Sequence, residues 1–286
     1  MTSSAFKLTR PTGTPGHIVF SSPHSGDEYP AQFLRDSQLD AHTLRSSEDA
    51  FVDRLFASAP GLGATLISSR IPRAYVDLNR EETELDPSVV EMERRSGLNP
   101  RLAAGLGVIP RVVAEGRVIR PGKITRKAAE NRIAQFYRPY HAELEALMTE
   151  AHTRFGEAVL YDCHSMPRDA LRGHTARGGK LPEIVLGDRF GSSCAPRIMA
   201  QALSAFEAEG FRVVCNAPFA GGYITQAYGR PEKGWHCLQI EIDRSLYMDE
   251  AAIRPRGDFE AFRVRLDAVV ERLIVAKSAG FSVAAE

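Results

Sequence analysis

Histidines and carboxylates stand at the ends of three apolar runs in this chain of 286 residues. Pro23-His24-Ser25-Gly26-Asp27-Glu28 follows the first run and His164-Ser165 the second, while Glu241 sits in the third among Leu238, Ile240 and Ile242, flanked by Gln239 and Asp243. A lone histidine is most often a hydrogen-bonded structural residue, but two imidazoles leaving separate strands toward one edge form a set. With one carboxylate drawn from Asp27, Glu28, Glu48 or Asp49, they supply the ligands a catalytic zinc uses while a fourth position stays open for water. Such an ion lowers the pKa of water toward about 7 and polarises a carbonyl. Hydrolysis then needs a carboxylate that takes the water's proton and passes it to the leaving amine. Glu241 is the candidate, because a carboxylate without a task is costly to bury in an apolar strand. Mixed imidazole and carboxylate ligation also suits Co, Mn or Fe(II), so zinc is preferred on the ground that the inferred task is hydrolysis rather than redox chemistry.

Asp77-Leu78-Asn79-Arg80 is the second informative segment. A guanidinium clamps a carboxylate with two parallel hydrogen bonds, and Asn79 beside Arg80 can contact the same group, so the pair would select an acidic substrate. The plain alternative is a surface ion pair of Arg80 with Glu81 or Glu84.

The elements that must position these residues follow from the apolar pattern. Short runs bounded by turn residues predict buried strands over His17–Ser21, Ala64–Ser68, Ala158–Cys163, Arg212–Asn216 and Cys237–Ile242. Helical patterns lie between and after them, over Glu48–Ala59, Arg126–Phe155, Cys194–Glu209 and Asp258–Lys277. In the second of these, Ile133, Phe136, Tyr137, Tyr140, Leu144, Leu147 and Met148 recur at three- and four-residue intervals, which gives one apolar face. The alternation predicts an α/β domain with a largely parallel sheet and helices on both faces. Ligands in such sheets bind at the carboxyl ends of the strands, where the polar residues above cluster. With no repeat and no long Ser/Gly linker, a single domain over 1–286 is expected.

Two stretches lack periodicity. Glu81–Ile124, with Pro87, Pro100, Pro110 and Pro121, reads as an excursion of loops and short helices, the type of segment that often covers an active site. Ser165–Arg189, with Arg168, Arg172, His174, Arg177 and Gly178-Gly179, reads as a basic loop at a strand end that would suit an anionic substrate, with a solvated loop of no role as the equal alternative.

Composition narrows the class. Hydrophobic residues make up 43% and charged residues 25%, which excludes disordered, collagenous and coiled-coil chains. The 36 basic residues balance 36 acidic ones, so no global field favours nucleic acid or an anionic membrane. The N-terminus lacks the apolar core of a secretory signal and no apolar stretch is long enough to span a bilayer, so a cytoplasmic location is expected. Cys163, Cys194, Cys215 and Cys237 form no CxxC pair and are read as small buried hydrophobes. His17, His42, His141, His152, His236 and Tyr228 are read as structural.

Six segments, in order, resemble N-formylglutamate amidohydrolases: Pro23-His24-Ser25-Gly26; Asp49 with Val52-Asp53-Arg54-Leu55; Arg73 with Val76-Asp77-Leu78-Asn79-Arg80; Asp162-Cys163-His164-Ser165; Gly221-Gly222-Tyr223-Ile224-Thr225 with Tyr228-Gly229-Arg230-Pro231; and Gln239-Ile240-Glu241 with Tyr247-Met248-Asp249-Glu250. More distantly, the sequence is similar to aspartoacylase and the zinc carboxypeptidases.

The resemblance implies a three-layer α/β/α sandwich with a mostly parallel mixed sheet, of the phosphorylase/hydrolase-like type, and hydrolysis of an N-formyl amino acid to formate and the free amine. It implies His24 and His164 as metal ligands, Asp49 as the acidic ligand with Glu48 and Asp27 as competitors, Glu241 as base, and Arg73, Asn79 and Arg80 as substrate or oxyanion contacts. The metal implied is zinc, with Co or Mn as substitutes. Gly221-Gly222 followed by Thr225 reads as a tight loop whose amides and hydroxyl would hold a substrate carboxylate, with Gly222 and Thr225 as the contacts. Cys163 faces the wrong way on its strand to share the site.

The expected partner is thus a small anionic N-acyl amino acid, with no nucleic acid and no membrane; a homo-oligomer is compatible with the residues. Two other readings stand beside the deformylase: a deacylase or carboxypeptidase-like hydrolase for another N-acyl amino acid, and a metal-free protein that captures small dicarboxylates.

Overall fold

The computed structural model describes residues 4–93, 99–176 and 179–275. Arg177, Gly178 and the last residues of the helix expected to reach Lys277 lie outside them.

Seven strands form one mixed sheet: β1 (Phe6–Thr9), β2 (Ile18–Ser22), β3 (Thr65–Ser69), β4 (Ala158–Met166), β5 (Ile184–Gly187), β6 (Val213–Cys215) and β7 (Trp235–Asp243). Their order is β1-β3-β2-β4-β7-β5-β6. The central strands β3, β2, β4 and β7 run parallel, whereas β1 is antiparallel to β3 and β5 is antiparallel to β7. The carboxyl ends of β2, β4 and β7 therefore share one edge, as the expectation of a site there requires.

All five expected strands are present. Two more strands of this sheet were not visible in the pattern: β1, a four-residue edge strand that exposes Lys7, and β5, a four-residue run that ends at Gly187. Both are too short for periodicity to separate them from loop.

Helices cover both faces, which gives the three-layer sandwich. On one face, α1 (Val52–Leu55), α3 (Pro196–Ala208) and α5 (Phe259–Val275) pack on Phe20, Tyr161, Cys163, Leu238, Ile240 and Ile242. The other face carries α2 (Arg138–Phe155) and α4 (Tyr223–Tyr228), packed on Val19, Ile67 and Leu160. Strand alternation separates the two sets. Cys163 points to the first face, whereas Asp162 and His164 point to the second, as expected for a structural cysteine. Cys194 and Cys237 are also buried, but Cys215, at the end of the edge strand β6, is exposed, contrary to the reading of all four as buried.

The expected helix Arg126–Phe155 is interrupted. An α-helix over Arg126–Arg132 passes through a π-helical turn, Ile133–Tyr137, before α2. The expected helix Glu48–Ala59 is reduced to α1 and a 3-10 turn, Ala59–Leu62, because Phe51 adopts a left-handed conformation (φ 69°) and the chain before it is not helical. A non-glycine residue in this region costs roughly 1–3 kcal/mol. The result is that Asp49 lies on a loop whose backbone N–H donates to the His24 carbonyl at 3.0 Å.

No helix among the described residues is long and apolar enough to cross a membrane.

Candidate active site

His24 lies two residues beyond β2, His164 is near the end of β4, and Glu241 is beside His164 in the parallel register of β4 and β7. The loop that carries Asp49 meets them. His164 Nδ1 is 2.9 Å and His24 Nδ1 3.3 Å from the same oxygen, Asp49 Oδ2. Ligand atoms of the three residues all fall within 4.8 Å of one another. Donors held at about 2.1 Å around a tetrahedral ion stand roughly 3.4 Å apart, so the spacing suits a small divalent cation.

The donor set passes a second test. His24 is buried, yet its Nδ1 has no hydrogen-bond partner. A buried polar atom without a partner is costly, and a cation between Nδ1 and Asp49 would remove that cost. The outer nitrogens are spoken for: His24 Nε2 is 2.7 Å from Asp77 Oδ1, and His164 Nε2 is 2.9 Å from Asp162 Oδ2. When each Nε2–H donates to its aspartate, each Nδ1 presents a lone pair inward, which is the usual arrangement around metal-ligating histidines. Asp49 is held as well. Its Oδ1 accepts from Arg244 Nη2 at 2.9 Å, while Arg244 Nε donates to Ser165 Oγ at 3.2 Å.

Of the acidic candidates, only Asp49 joins the histidines. Glu48 points to the far side of the loop, where Arg45 and Tyr29 bind it, and Asp27 and Glu28 line a separate hollow with it.

Electrostatics divides the carboxylates by role. Burial alone would raise Asp77, but the Arg73 guanidinium and His24 hold it well below the usual carboxylate range, so it stays a charged acceptor. Arg73 Nη2 donates to Asp77 Oδ2 at 2.8 Å. Glu241 behaves oppositely: burial pushes it up to about 7 against the pull of His164, with Asp49 adding to the rise. Gln239 Nε2 donates to Glu241 Oε1 at 2.8 Å and fixes the carboxyl.

A cavity of about 720 Å³ opens from these groups. Its floor is His24, Asp49, Asp77, His164 and Glu241, and its wall includes Arg73, Arg80, Arg101, Gly221 and Gly222. Leu106, Pro110, Val112 and Val113 line it too, so the aperiodic Glu81–Ile124 excursion does cover the site. Of the stretch Ser165–Arg189, Ser165, Met166 and Pro167 line it, but the described basic side chains do not: Arg168 pairs with Asp243 and Arg172 with Asp169, and neither they nor His174 reach the cavity, which corrects the expectation that these charges meet an anionic substrate. Arg177 falls outside the described residues.

The expected substrate contacts separate on inspection. Arg80 faces the cavity, with Nε on the Leu106 carbonyl and Nη1 on the Asn79 carbonyl. The Asn79 amide is engaged at both ends: Oδ1 accepts from Ile224 N at 2.8 Å, and Nδ2 lies 3.1 Å from His164 Nε2 and 3.4 Å from Asp162 Oδ2. With His164 Nε2–H itself donating to Asp162, the Asn79 Nδ2 group donates to Asp162 Oδ2 and not to the ring, so Asn79 ties the start of α4 to the carboxylate behind the histidine. Gly222 lines the cavity, but its N–H donates to Gln239 Oε1, and a Cβ there would meet the Asn79 amide at 2.4 Å. Thr225 is buried, does not line the cavity and donates its hydroxyl to the Gly222 carbonyl. The expected contact of its hydroxyl with a substrate carboxylate is thus replaced by a bond that closes the loop.

The loop gains access to the site at another glycine. Gly187, at the end of β5, lets the Phe219–Ala220 backbone cross within 2.9 Å of where a Cβ would stand.

Sequence reasoning gave no role to Arg244, Asp77, Asp162 or Gln239. Arg244 follows β7 directly, and Asp77 and Asp162 stand two residues before Asn79 and His164; proximity to strand ends was the available signal. Behind the loop, Tyr137 in the π-helical turn donates to the Arg80 carbonyl at 2.7 Å, and His141 Nε2 is 2.9 Å from the Leu78 carbonyl. These two hold Asn79 and Arg80 from the rear. Burial lowers His141 to about 4, so the ring is neutral and its Nε2–H donates.

Comparison with known proteins places the chain in a family. The chain matches the family model for N-formylglutamate amidohydrolase over residues 16–248. It is 33% identical to an N-formylglutamate amidohydrolase of known crystal structure from Ralstonia eutropha JMP134, with a TM-score of 0.89 covering 96% of this chain and 99% of that one. It is 30% identical to the N-formylglutamate deformylase of Pseudomonas aeruginosa, covering 90% of this chain and 92% of the relative. The N-formylglutamate deformylase of Pseudomonas putida is also 30% identical, over 82% of each chain. The family model spans most of the sequence and the structural match nearly all of it, and the chain therefore belongs to the N-formylglutamate amidohydrolase family.

Proposed function

We propose that this protein hydrolyses the formyl amide of N-formyl-L-glutamate, or a close N-formyl amino acid, to formate and the free amino acid, using one divalent metal ion, zinc by preference. The observation that carries this reading is the convergence of His24 Nδ1 and His164 Nδ1 on Asp49 Oδ2 beside a buried Glu241, at the floor of an arginine-lined cavity. The setting we infer is the cytoplasm, with all four cysteines free.

His24, Asp49 and His164 would hold the ion, which when bound supplies Lewis-acid polarisation of a carbonyl and acidification of water. Asp77 and Asp162 keep the imidazoles in the tautomer that turns Nδ1 inward. Arg244 keeps Asp49 from rotating away. Glu241, made more basic by burial, accepts the proton of the attacking water as its oxygen adds to the formyl carbon. The same carboxyl then returns the proton to the amine nitrogen as the C–N bond breaks. Arg73 stands beside Asp77 at the wall, where its charge would stabilise the oxygen that becomes negative during attack. Arg80 is the contact for a substrate carboxylate, and Gly222 shapes the wall beside Asn79.

The test is release of formate and of acetate from paired N-formyl and N-acetyl glutamate. The proposal expects formate release at a much higher kcat/KM than acetate release. Preference for the acetyl compound, or turnover of neither, would overturn it.

A further inference from the structure

Arg80 and Arg101 are tied together through one residue. The Leu106 N–H donates to the Arg101 carbonyl at 2.8 Å, and the Leu106 carbonyl accepts from Arg80 Nε at 2.8 Å. The turn that carries Arg101 is itself pinned: Asn99 Oδ1 accepts from the Arg101 and Leu102 N–H groups, and Arg111 Nη2 donates to the Ala103 carbonyl at 2.9 Å. Both guanidinium-bearing residues line the same cavity as the histidines. Among the described residues, no ion pair joins either one to a carboxylate.

Three arginines thus succeed one another along the wall. Arg73 is the inner one, neutralised by Asp77. Arg80 follows, and burial, with the charges of Arg73 and Arg101 and against that of Asp77, holds its pKa below the ordinary value. Arg101 is the outermost and is exposed. Asp77 and Glu84 act on Arg80, and Glu84 on Arg101, without an ion pair to either guanidinium; two like charges facing one space are a cost that an anionic ligand in direct contact reduces, and a guanidinium fork matches a carboxylate in shape. At the floor lie the groups that treat the amide. A substrate with its amide there directs its side chain toward the mouth.

We infer that Arg101, beside Arg80, is a specificity-determining residue that reads the side-chain carboxylate of a dicarboxylic N-formyl amino acid. The inference rests on the deformylase reading and adds the reason for a preference among N-formyl amino acids. Among the described residues, Glu115 is the only acidic side chain that lines the outer cavity, and it lies 3.7 Å from Arg117, so no carboxylate of the wall competes for Arg101.

N-formyl-L-glutamine is the uncharged isostere of N-formyl-L-glutamate, so the two substrates isolate the side-chain charge. Wild-type protein is expected to favour the glutamate compound. Arg101→Gln is expected to lower kcat/KM for N-formyl-L-glutamate by about tenfold, mainly through KM, because a charge-assisted hydrogen bond at an exposed rim is worth about that factor. Turnover of N-formyl-L-glutamine by the variant should match wild type, which also shows that the variant is folded. Equal loss on both substrates, or no loss on either, would overturn the role of Arg101 while leaving the deformylase reading intact. A wild type that hydrolyses neither compound would instead defeat the deformylase reading and this inference with it.

Discussion

Glu241 and His164 are register partners on adjacent parallel strands, so the proposed base and a proposed metal ligand project from the same face of the sheet at neighbouring positions. Neither can drift relative to the other without breaking the ladder between the two longest strands of the sheet. Replacing Glu241 with Gln keeps the shape and the Gln239 contact but removes the base. The expected result is a loss of kcat by about 100- to 10,000-fold, the usual worth of general acid–base catalysis, with substrate affinity and metal content retained. Near-normal turnover in that variant would remove Glu241 from the mechanism.

The environment of Glu241 sets an acid limit on activity. Burial raises its pKa to about 7, so the fraction ionised falls tenfold for each pH unit below that value. In the wild type, kcat/KM for N-formyl-L-glutamate is expected to rise with pH and level off above about 7. A profile flat from pH 5 to pH 8 would contradict the assignment.

Arg244 and Asp77 act on the ligands from outside the triad. Arg244→Gln frees Asp49 Oδ1, and Asp77→Asn weakens the acceptor behind His24. Each is expected to weaken metal binding by about 10- to 100-fold, read by competition with a chromogenic chelator. Unchanged affinity in both variants would mean that these contacts do not orient the ligands.

His141 links acid stability to the substrate-binding loop. Its pKa is lowered to about 4 by burial, below the 6.5 of an ordinary histidine. A depressed histidine binds fewer protons in the folded state, so its contribution to stability is complete above about pH 6.5 and is lost as pH falls toward 4. The slope is at most about 1.4 kcal/mol per pH unit. Urea unfolding at pH 7 and pH 5 should show a smaller loss of stability on acidification in His141→Gln than in wild type.

Gly222→Ala tests the closeness of the α4 loop to Asn79. The added methyl would stand 2.4 Å from the Asn79 amide nitrogen, so either the loop or the amide must shift. Destabilisation of about 1–3 kcal/mol is expected in chemical denaturation, together with reduced turnover.

Much of the site could be read in the sequence because its residues end strands. The runs before His24 and His164 and around Glu241 are long and apolar enough to identify β2, β4 and β7, and parallel pairing brings their carboxyl ends together. Asp49 was harder to place, since the helical pattern from Glu48 onward hides the left-handed Phe51 that turns the chain into a loop. Arg244 looks like a residue of an ordinary turn after a strand, and only burial shows that it holds Asp49. Arg101 stands in an excursion with no periodicity, so nothing in the pattern says which way it faces. Thr225 and Asn79 were legible as polar groups near the site, but their partners within the protein are set by tertiary packing. The basic loop after β4 left two readings open for the same reason: charge on a loop does not say whether Asp243 or a substrate will meet it.

Zinc titration into chelator-treated protein, with formate release from N-formyl-L-glutamate as the readout, tests the central claim most directly. Activity should be absent at the start and return in proportion to metal up to one equivalent per chain, with no such return in His24→Ala or His164→Ala. Full turnover by the chelated protein, or full recovery in those variants, would contradict the account.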